Sequence, residues 1–393
     1  MNNIDHDLYE FMGETKNVRK GEEIDIDSLR TYCKGQPNLL DGEIRVEQFP
    51  GGSSNLTYLI RLGRKEFVLR RPPFGNTVKS AHDMRREFDV LSKLSAVYEP
   101  APRPLLYCED QSVIGSEFYL MERRQGLIIR GKIPGTLELG VPPSGGNTAG
   151  EEPPEGGTQN ALSQAELLET SQVFRFEVCK SFIQNLADLH SLDLKDAKLE
   201  TLGKPVGYNK RQVEGWTKRY FAARIDEVPE IENAIAWLNE NIPAESGASL
   251  IHNDYKFDNI MLDPSDLTKV TAVLDWEMVT VGDPLMDLGT TLGYWISRDA
   301  PDGLLNMPFN PRVLMENITR QELVDMYAES QGRAVPDMLF YYVFGTFKIA
   351  VIAQQIYARF AKGFTSDARF ATYNKFVASL GIIAASAISR KSI

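Results

Sequence analysis

The chain has 393 residues, of which 42% are hydrophobic and 25% are charged. This balance is typical of globular proteins, and the length suits two domains or lobes. The formal net charge of −11 argues against a nucleic-acid partner, because binding to a phosphate backbone requires a basic face.

Three cysteines, Cys33, Cys108 and Cys179, lie far apart and show no CxxC spacing. This pattern predicts neither a disulfide framework nor a zinc site, and it favours a reducing, cytoplasmic location. The acidic N-terminus lacks the basic start and apolar run of a signal peptide. The most apolar stretch, residues 338–352, contains Lys348 and is too short to span a bilayer, so we expect a buried helix and no membrane.

The first third of the chain has short alternating segments bounded by turn residues, which predict strands. Apolar residues between positions 82 and 94 recur at helical spacing, which predicts a helix there. The predicted strands are 44–49, 56–62, 66–70 and 118–121.

Residues 134–164 are rich in Gly, Pro, Glu and Asn, which predicts a flexible surface insertion. The chain after it is mostly helical, beginning with a predicted helix at 174–190. A strand-rich island interrupts the helices at 250–254, 259–262 and 270–275. This order predicts an α+β fold with a sheet-rich N-lobe, residues 1–122, and a mostly helical C-lobe, residues 123–393.

The strongest motif is His-Asn-Asp-Tyr-Lys-Phe-Asp-Asn at residues 252–259. Protein kinases use the same spacing in their catalytic loop, where the Asp accepts the proton of the acceptor hydroxyl and the Asn binds Mg²⁺. The motif therefore predicts Asp254 as the catalytic base and Asn259 as a metal ligand. The alternative is a turn in which both side chains cap the local backbone.

Asp275 follows three apolar residues, 272–274, at the end of a predicted strand. A kinase places its second metal-binding carboxylate at such a position, although an isolated Asp there is more often a cap or turn residue. Lys256, two residues after Asp254, is a candidate catalytic cation that offsets phosphate charge. Its alternative is a solvated loop lysine.

Two further segments predict nucleotide contacts. The turn after the first strand is built of small residues whose backbone N–H groups can approach phosphate oxygens, although it also suits a plain hairpin. Arg70, with Glu87 on the following helix, stands where kinases pair a strand Lys with a helix Glu. Arg71 is an alternative to Arg70, and Glu87 could instead be one charge of an exposed patch. The residues of the turn are Gly52, Ser53, Ser54 and Asn55.

Two residues are expected to act structurally. Asp287, in Gly-Asp-Pro-Leu-Met-Asp-Leu at 282–288, could accept backbone N–H bonds from the catalytic loop and fix its shape. His190, near the end of a predicted helix, is expected to face the core.

The motifs HNDYKFDN, AVLDWE and GDPLMDL resemble the aminoglycoside phosphotransferase family, whose usual loop reads HGDxxxxN, so that Asn253 replaces the common Gly. The segments PGGSSNLTY and FVLRRPP are similar to bacterial phosphotransferases akin to the kinase domain fused to some acyl-CoA dehydrogenases. The resemblance implies a bilobal protein-kinase-like fold that binds Mg²⁺ and ATP, or another nucleoside triphosphate, in the interlobe cleft. It also implies that Met121 and Glu122 form the adenine-facing link.

Family membership leaves the acceptor open, since members phosphorylate aminoglycosides, choline, homoserine, other sugars and, in the fused domains, hydroxyacyl-CoA. Residues 208–220 carry four basic side chains among three aromatic rings. This composition suits an anionic or CoA-bearing acceptor, or else a solvated helix face.

The leading hypothesis is an ATP- and Mg²⁺-dependent O-phosphotransferase that acts on a small hydroxyl-bearing metabolite, with a hydroxyacyl-CoA or another anion as acceptor. The alternatives are an aminoglycoside-type kinase and a catalytically silent nucleotide-binding pseudokinase. A protein kinase is disfavoured because no activation segment follows Asp275.

Overall fold

The computed structural model describes residues 15–36, 42–49, 55–74, 83–129, 164, 166–297, 300–305, 311–365 and 367–393. Gly52, Ser53 and Ser54 lie outside the described residues, as does the predicted insertion apart from Gln164. The chain divides into two compact units. The first comprises Met1–Ile128, Met261–Pro264 and Val270–Glu277, and the second comprises Ile129–Ile260, Ser265–Lys269 and Met278–Ile393.

The first unit contains a five-stranded antiparallel sheet in the order β1-β2-β3-β5-β4. The sequence pattern did not predict β4. It begins with Pro104 at the edge of the sheet. A proline, which has no backbone N–H, is tolerated there because an edge strand pairs on one side only. The strands are β1 Ile44–Gln48, β2 Leu56–Leu62, β3 Lys65–Arg71, β4 Pro104–Cys108 and β5 Phe118–Glu122.

Side chains along β2 alternate between the two faces of this sheet. Tyr58, Ile60 and Leu62 point to one face and pack in a core with helix α1, Ile26–Lys34. Helix α2, Met84–Leu94, begins at Asp83, whose side chain accepts from the Arg86 backbone N–H. It buries an apolar stripe, as the helical spacing predicted, together with one acidic residue, Glu87.

Four short strands precede and follow the predicted catalytic motif in the sequence. Strands β7, Ile260–Asp263, and β8, Asp266–Val273, form a hairpin, and β6, Ser249–Ile251, pairs with β9, Thr280–Gly282. The strand predicted at 250–254 ends earlier, at Ile251. It cannot continue because Asn253 has a φ of 69°, which is in the left-handed region.

The second unit is mostly helical, which agrees with the predicted α+β class. Its helices are α3 Gln172–His190, α4 Tyr208–Ala223, α5 Pro229–Glu240, α6 Pro284–Gly293, α7 Asp302–Leu305, α8 Arg312–Met315, α9 Arg320–Gln331, α10 Leu339–Ala361 and α11 Tyr373–Arg390.

Helix α10 is longer than the sequence pattern predicted, since it continues beyond residue 352 to Ala361. With its 23 residues it is long and apolar enough to cross a bilayer, as is the segment Ala368–Arg390. Of the apolar window in α10, 83% is buried against the rest of the protein. A core helix of a soluble protein passes the same test of length and composition, so this finding is weak evidence for a membrane span.

Helices α6 and α10 pack backbone to backbone through glycines. A Cβ atom added at Gly345 of α10 would overlap the carbonyl oxygen of Gly289 in α6. A Cβ at Gly293 would lie 2.9 Å from the Gly345 carbonyl carbon. The close approach places α6, which carries Asp287, directly against the long core helix.

We therefore predict that Gly345→Ala lowers the free energy of unfolding by about 1–3 kcal/mol, because the helices must separate to admit a methyl group. Gly215→Ala in α4 is the matched control, since its methyl group would meet only the Arg219 Nη1, at 3.5 Å. We expect that control to be stabilised by about 0.5–1 kcal/mol through helix propensity. Denaturant unfolding measures both changes, and equal stabilities would contradict the packing described.

Candidate active site

The catalytic loop, His252–Asn259, is anchored by aromatic side chains. The Phe182 ring of α3 stacks on Phe257 at a centroid distance of 4.2 Å and packs against Tyr255 at 4.7 Å. The Tyr255 hydroxyl also donates to the Phe182 carbonyl oxygen at 2.8 Å. The alternate residues Tyr255 and Phe257 thus point into the core, while Asp254 and Lys256 point away from it.

Asp287 of α6 fixes the start of this loop. Its carboxylate accepts the backbone N–H of His252 at 2.6 Å and that of Asn253 at 2.7 Å. His190 contacts the same carboxylate through Nε2 at 3.2 Å. Burial raises the pKa of Asp287, but His190, His252 and Lys348 together bring it below its ordinary value. The expectations that Asp287 binds the loop backbone and that His190 faces the core are confirmed.

Asp254 receives donors from three side chains. Lys256 Nζ lies 2.9 Å from Oδ2, the Tyr294 hydroxyl donates to Oδ1 at 2.6 Å, and Asn259 Nδ2 donates to Oδ2 at 3.0 Å. Burial opposes its charge, but Lys256 and Tyr294 keep the pKa of Asp254 below its ordinary value. The carboxylate is therefore ionised, as a base that accepts a proton must be.

Lys256 is only 15% exposed, so it is not a solvated loop lysine. Its ammonium bridges both oxygens of Asp254 and lies 4.7 Å from the centroid of the Tyr294 ring. Burial lowers the pKa of Lys256, but Asp254 more than compensates and raises it above its ordinary value. This shift favours the protonated form of Lys256 beside Asp254.

In the first unit, Arg70 of β3 joins two carboxylates. Its Nη1 lies 3.3 Å from Glu87 Oε1, and its Nη2 lies 3.0 Å from Asp275 Oδ1. Glu87 is 2% exposed, so the alternative of an exposed charge patch is wrong. Arg71 instead donates to the carbonyl oxygens of Pro72 and Ile114. Of the two arginines, Arg70 is the one paired with the helix Glu.

Asp275 lies beyond the end of β8 in a left-handed conformation, with a φ of 67°. Non-Gly residues with positive φ are uncommon, and strained conformations cluster at functional sites. The neighbouring Trp276 is buried, and its indole N–H donates to the Val273 carbonyl oxygen at 2.8 Å. This bond and the ion pair with Arg70 hold the turn that presents the Asp275 carboxylate.

Of the predicted phosphate turn, only Asn55 is described. Its Nδ2 donates to Glu277 Oε2 at 2.8 Å, so the side chain contacts the segment after β8. Met121 and Glu122 are the last two residues of β5. The Glu122 side chain accepts from the Arg103 backbone N–H at 3.0 Å. These contacts place all three residues in the first unit.

Among the described residues, no group of three or more His, Cys, Asp and Glu side chains could hold a metal ion by itself. The two predicted ligands belong to different units: Asn259 lies beside Asp254 in the second, and Asp275 lies beside Arg70 in the first. Carboxylate and amide oxygens are ligands that suit Mg²⁺, which usually keeps several waters and substrate phosphates in its shell. Each of the two residues therefore offers an oxygen donor of the kind that Mg²⁺ takes.

The buried ion pair of Arg70 also fits an anionic ligand. Within the described part of the chain, Arg70 Nε meets no acceptor, although it is shielded from solvent. A buried donor without a partner is costly, so such atoms in native proteins call for an explanation. A phosphate oxygen is an acceptor of the required charge.

A cavity of about 380 Å³ lies in the second unit beside the catalytic loop. It is lined by four basic residues and by the side chains of Tyr208, Trp216 and Met278. Arg219 stacks over the Trp216 ring, with its Cζ 4.7 Å from the centroid. The four basic residues of this cavity, called the basic pocket below, are Lys204, Arg211, Arg219 and Lys348.

Sequence reasoning assigned no role to Tyr294, Glu277 or Lys348. Tyr294 lies 40 positions after Asp254, and nothing local marks it. Lys348 carried a signal, because a single lysine in a buried apolar helix requires a partner. Glu277 directly follows the Asp275 motif, but the pattern does not distinguish it from a solvated acid.

Comparisons of the sequence with known proteins identify related chains. The model of the phosphotransferase enzyme family, APH, matches residues 45–150 and 161–310. The chain is 34% identical over 391 residues to chicken (Gallus gallus) acyl-CoA dehydrogenase family member 11, covering 96% of this chain and 46% of that protein. It is 33% identical to mouse (Mus musculus) acyl-CoA dehydrogenase family member 10, covering 94% of this chain and 32% of that protein. The chain thus spans about half the length, or less, of these relatives.

Solved structures share the fold. A candidate aminoglycoside phosphotransferase from Ralstonia eutropha is 27% identical with a TM-score of 0.70, covering 93% of this chain and 99% of that one. Choline kinase from Cryptosporidium parvum is 12% identical with a TM-score of 0.59, covering 93% and 97%. An aminoglycoside phosphotransferase bound to ADP and hygromycin B is 14% identical with a TM-score of 0.53, covering 93% and 97%.

The predicted protein-kinase-like α+β fold is therefore confirmed, as is the resemblance drawn from the motifs. With about two thirds of its length matched by one family model and 96% of it similar to part of a larger relative, the chain belongs to the phosphotransferase enzyme family, APH.

Proposed function

We propose that this protein is an ATP- and Mg²⁺-dependent O-phosphotransferase that phosphorylates a hydroxyl group of a small anionic metabolite. One observation carries the proposal: an ionised Asp254 is held by Lys256, Tyr294 and Asn259 on a loop that Asp287 fixes. Phosphoryl transfer depends mainly on positioning and electrostatics, and this arrangement supplies both.

In this proposal Asp254 orients the acceptor hydroxyl and takes its proton as the oxygen bonds to the γ-phosphorus, in line with the departing nucleoside diphosphate. The adjacent cation, Lys256, offsets the negative charge that gathers on the transferred group. The Tyr294 hydroxyl restrains the carboxylate, so that one orientation of Asp254 is available to the acceptor. No covalent enzyme intermediate is required.

The first unit would bind the nucleotide. Arg70, oriented by Glu87, is proposed to contact the phosphates, and Met121 and Glu122 to border the adenine. The turn containing Gly52, Ser53, Ser54 and Asn55 is proposed to cover the phosphates with its backbone N–H groups. Asn259 and Asp275 are the proposed Mg²⁺ ligands. When bound, Mg²⁺ would neutralise phosphate charge and align the triphosphate.

The basic pocket supports an anionic acceptor. Four cationic side chains attract carboxylate or phosphate groups and repel a polycation such as an aminoglycoside. The relatives named acyl-CoA dehydrogenase family members make a hydroxyacyl-CoA the first acceptor to test. A cytoplasmic location belongs to the same proposal and is supported by three buried cysteines, none of which forms a disulfide.

We predict that Asp254→Ala lowers kcat by about 10²-fold to 10⁴-fold, because the acceptor loses its base. Nucleotide binding, measured by calorimetry, should change little. The exposed Asp188 on α3 gives the control Asp188→Ala, which should retain wild-type turnover. Unaltered turnover in Asp254→Ala would rule out its role as base, and nucleotide binding without turnover in the wild type would favour the pseudokinase.

We predict that Asp275→Asn raises the Mg²⁺ concentration needed for half-maximal rate by more than about tenfold, since an amide is a weaker ligand than a carboxylate. A magnesium titration at saturating nucleotide measures the change. Asp89→Asn, an exposed substitution in the same unit, is the control. An identical metal dependence in the two variants would contradict the ligand role of Asp275.

We predict that Arg219→Glu raises KM for an anionic acceptor by about tenfold, equivalent to about 1.4 kcal/mol, and leaves KM for the nucleotide unchanged. Lys218→Glu, the control, makes the same charge change on the preceding residue of α4, which does not line the basic pocket. A nucleotide-consumption screen of hydroxyacyl-CoA thioesters, aminoglycosides, amino alcohols and sugars would supply the acceptor. Equal effects of the two reversals would mean that the pocket does not select the acceptor.

A further inference from the structure

Asn253 immediately precedes Asp254. Every polar atom of Asn253 forms a hydrogen bond with another residue of the second unit. Its backbone N–H donates to Asp287 Oδ1 at 2.7 Å, and its Nδ2 donates to the Met278 carbonyl oxygen at 3.1 Å. Its Oδ1 accepts from the Tyr208 hydroxyl at 3.3 Å. Its φ of 69° is a conformation that asparagine adopts at lower cost than most side chains. The residue is therefore held in an uncommon conformation by several separate elements.

Lys348 of α10 provides the remaining contacts. Its Nζ lies 2.6 Å from the Asn253 carbonyl oxygen and 3.2 Å from Oδ1. The lysine is 1% exposed, and a cation so deeply buried is costly unless its donors are satisfied. Both of these contacts are made to the one residue that precedes the proposed base. A lysine retained at that cost is poorly explained by packing alone.

Lys348 also lines the basic pocket, where its Nζ lies 5.7 Å from the centroid of the Trp216 ring. An ammonium has three donors, so the one not directed at Asn253 can meet a ligand in the pocket. The same side chain therefore touches both the cavity proposed for the acceptor and the backbone of the catalytic loop.

We propose that Lys348 is a positioning residue that holds Asp254 in its reactive place through Asn253 and couples this placement to an anionic group bound in the basic pocket. The proposal deepens the proposed function and rests on it for its kinetic consequences. An anion beside Lys348 would favour its protonated form, which donates to Asn253, so that the base is best ordered when the acceptor is bound.

The first experiment compares Lys348→Met, Asn253→Gly and the double variant. Glycine suits the positive φ at 253, so Asn253→Gly keeps the backbone conformation while removing the side-chain contacts. We expect Lys348→Met to lower kcat by about 10-fold to 100-fold, the scale of a misplaced catalytic group, with KM for the nucleotide unchanged. Asn253→Gly removes the contact of Lys348 to Oδ1 and keeps the contact to the carbonyl oxygen, so it should lower kcat less than Lys348→Met does. The double variant should lose less than the product of the two single losses, because both changes remove the Oδ1 contact. Multiplicative losses, or an unchanged kcat, would overturn the proposal.

The second experiment uses pH. Burial lowers the pKa of Lys348 to about 8, although Asp287 and Asp254 act to raise it, while Lys256 and Arg219 act to lower it further. As pH rises through this value the ammonium loses its charge and one donor, so wild-type kcat should fall. Lys348→Arg stays charged throughout, and the cavity gives its larger group room. The alkaline fall should therefore disappear in this variant, and its persistence there would contradict the role of Lys348.

Hydrogen exchange separates this inference from the proposed function. In Lys348→Met, the amides of a peptide spanning residues 249–260 should exchange faster than in the wild type, while thermal unfolding checks that the variant is folded. If the wild type transfers phosphate to no acceptor, the proposed function fails, and the exchange result still tests the contact. Unchanged exchange in a folded Lys348→Met variant would show that Lys348 does not hold the loop.

Discussion

The candidate site depends on a single buried carboxylate, Asp287, which accepts two consecutive backbone N–H groups of the catalytic loop. Such charge-assisted bonds are short and strong, and they fix backbone rather than side-chain positions. Because His252 and Asn253 are held in this way, the next residue, Asp254, has little freedom. The glycine contact between α6 and α10 fixes Asp287 in turn, by bringing two helix backbones together. Helix packing thus determines the position of the proposed base.

Each unit places a buried cation between or beside carboxylates. In the first unit Arg70 bridges Glu87 and Asp275, and in the second Lys256 pairs with Asp254. Buried ion pairs contribute little net stability, because desolvation offsets most of the Coulomb attraction. Their value here lies in preorganisation: charges that a phosphoryl transfer needs are already oriented, and solvent need not reorganise during the reaction. The unpartnered Arg70 Nε, among the described residues, is consistent with a site completed by a ligand.

The sequence predicted most strands of the first unit and the grouping of Lys256 and Asn259 around Asp254. Both predictions follow from the spacing of residues within short segments. The sequence could not predict Tyr294, which contacts Asp254 from 40 positions away through the geometry of α6. It also did not predict the end of β6 at Ile251, since the left-handed conformation of Asn253 depends on four partners from distant elements. Helix α1 and strand β4 were missed because both are short, with nine and five residues. Residues that act through tertiary contacts have no fixed spacing from their partners in the sequence, so a local pattern cannot identify them.

The fold does not determine which acceptor binds. The charges that line the pocket bear on acceptor binding more than the net charge of the chain does. The chain is acidic overall, yet four basic side chains converge on one cavity beside the loop. Screening at physiological salt limits surface fields to about 8 Å, so a ligand in that cavity responds chiefly to these nearby cations. The stack of the exposed Arg219 on the buried Trp216 adds a planar surface beside a positive charge. The proposed anionic acceptor would thus depend on the residues that line this one pocket, which the fold does not determine.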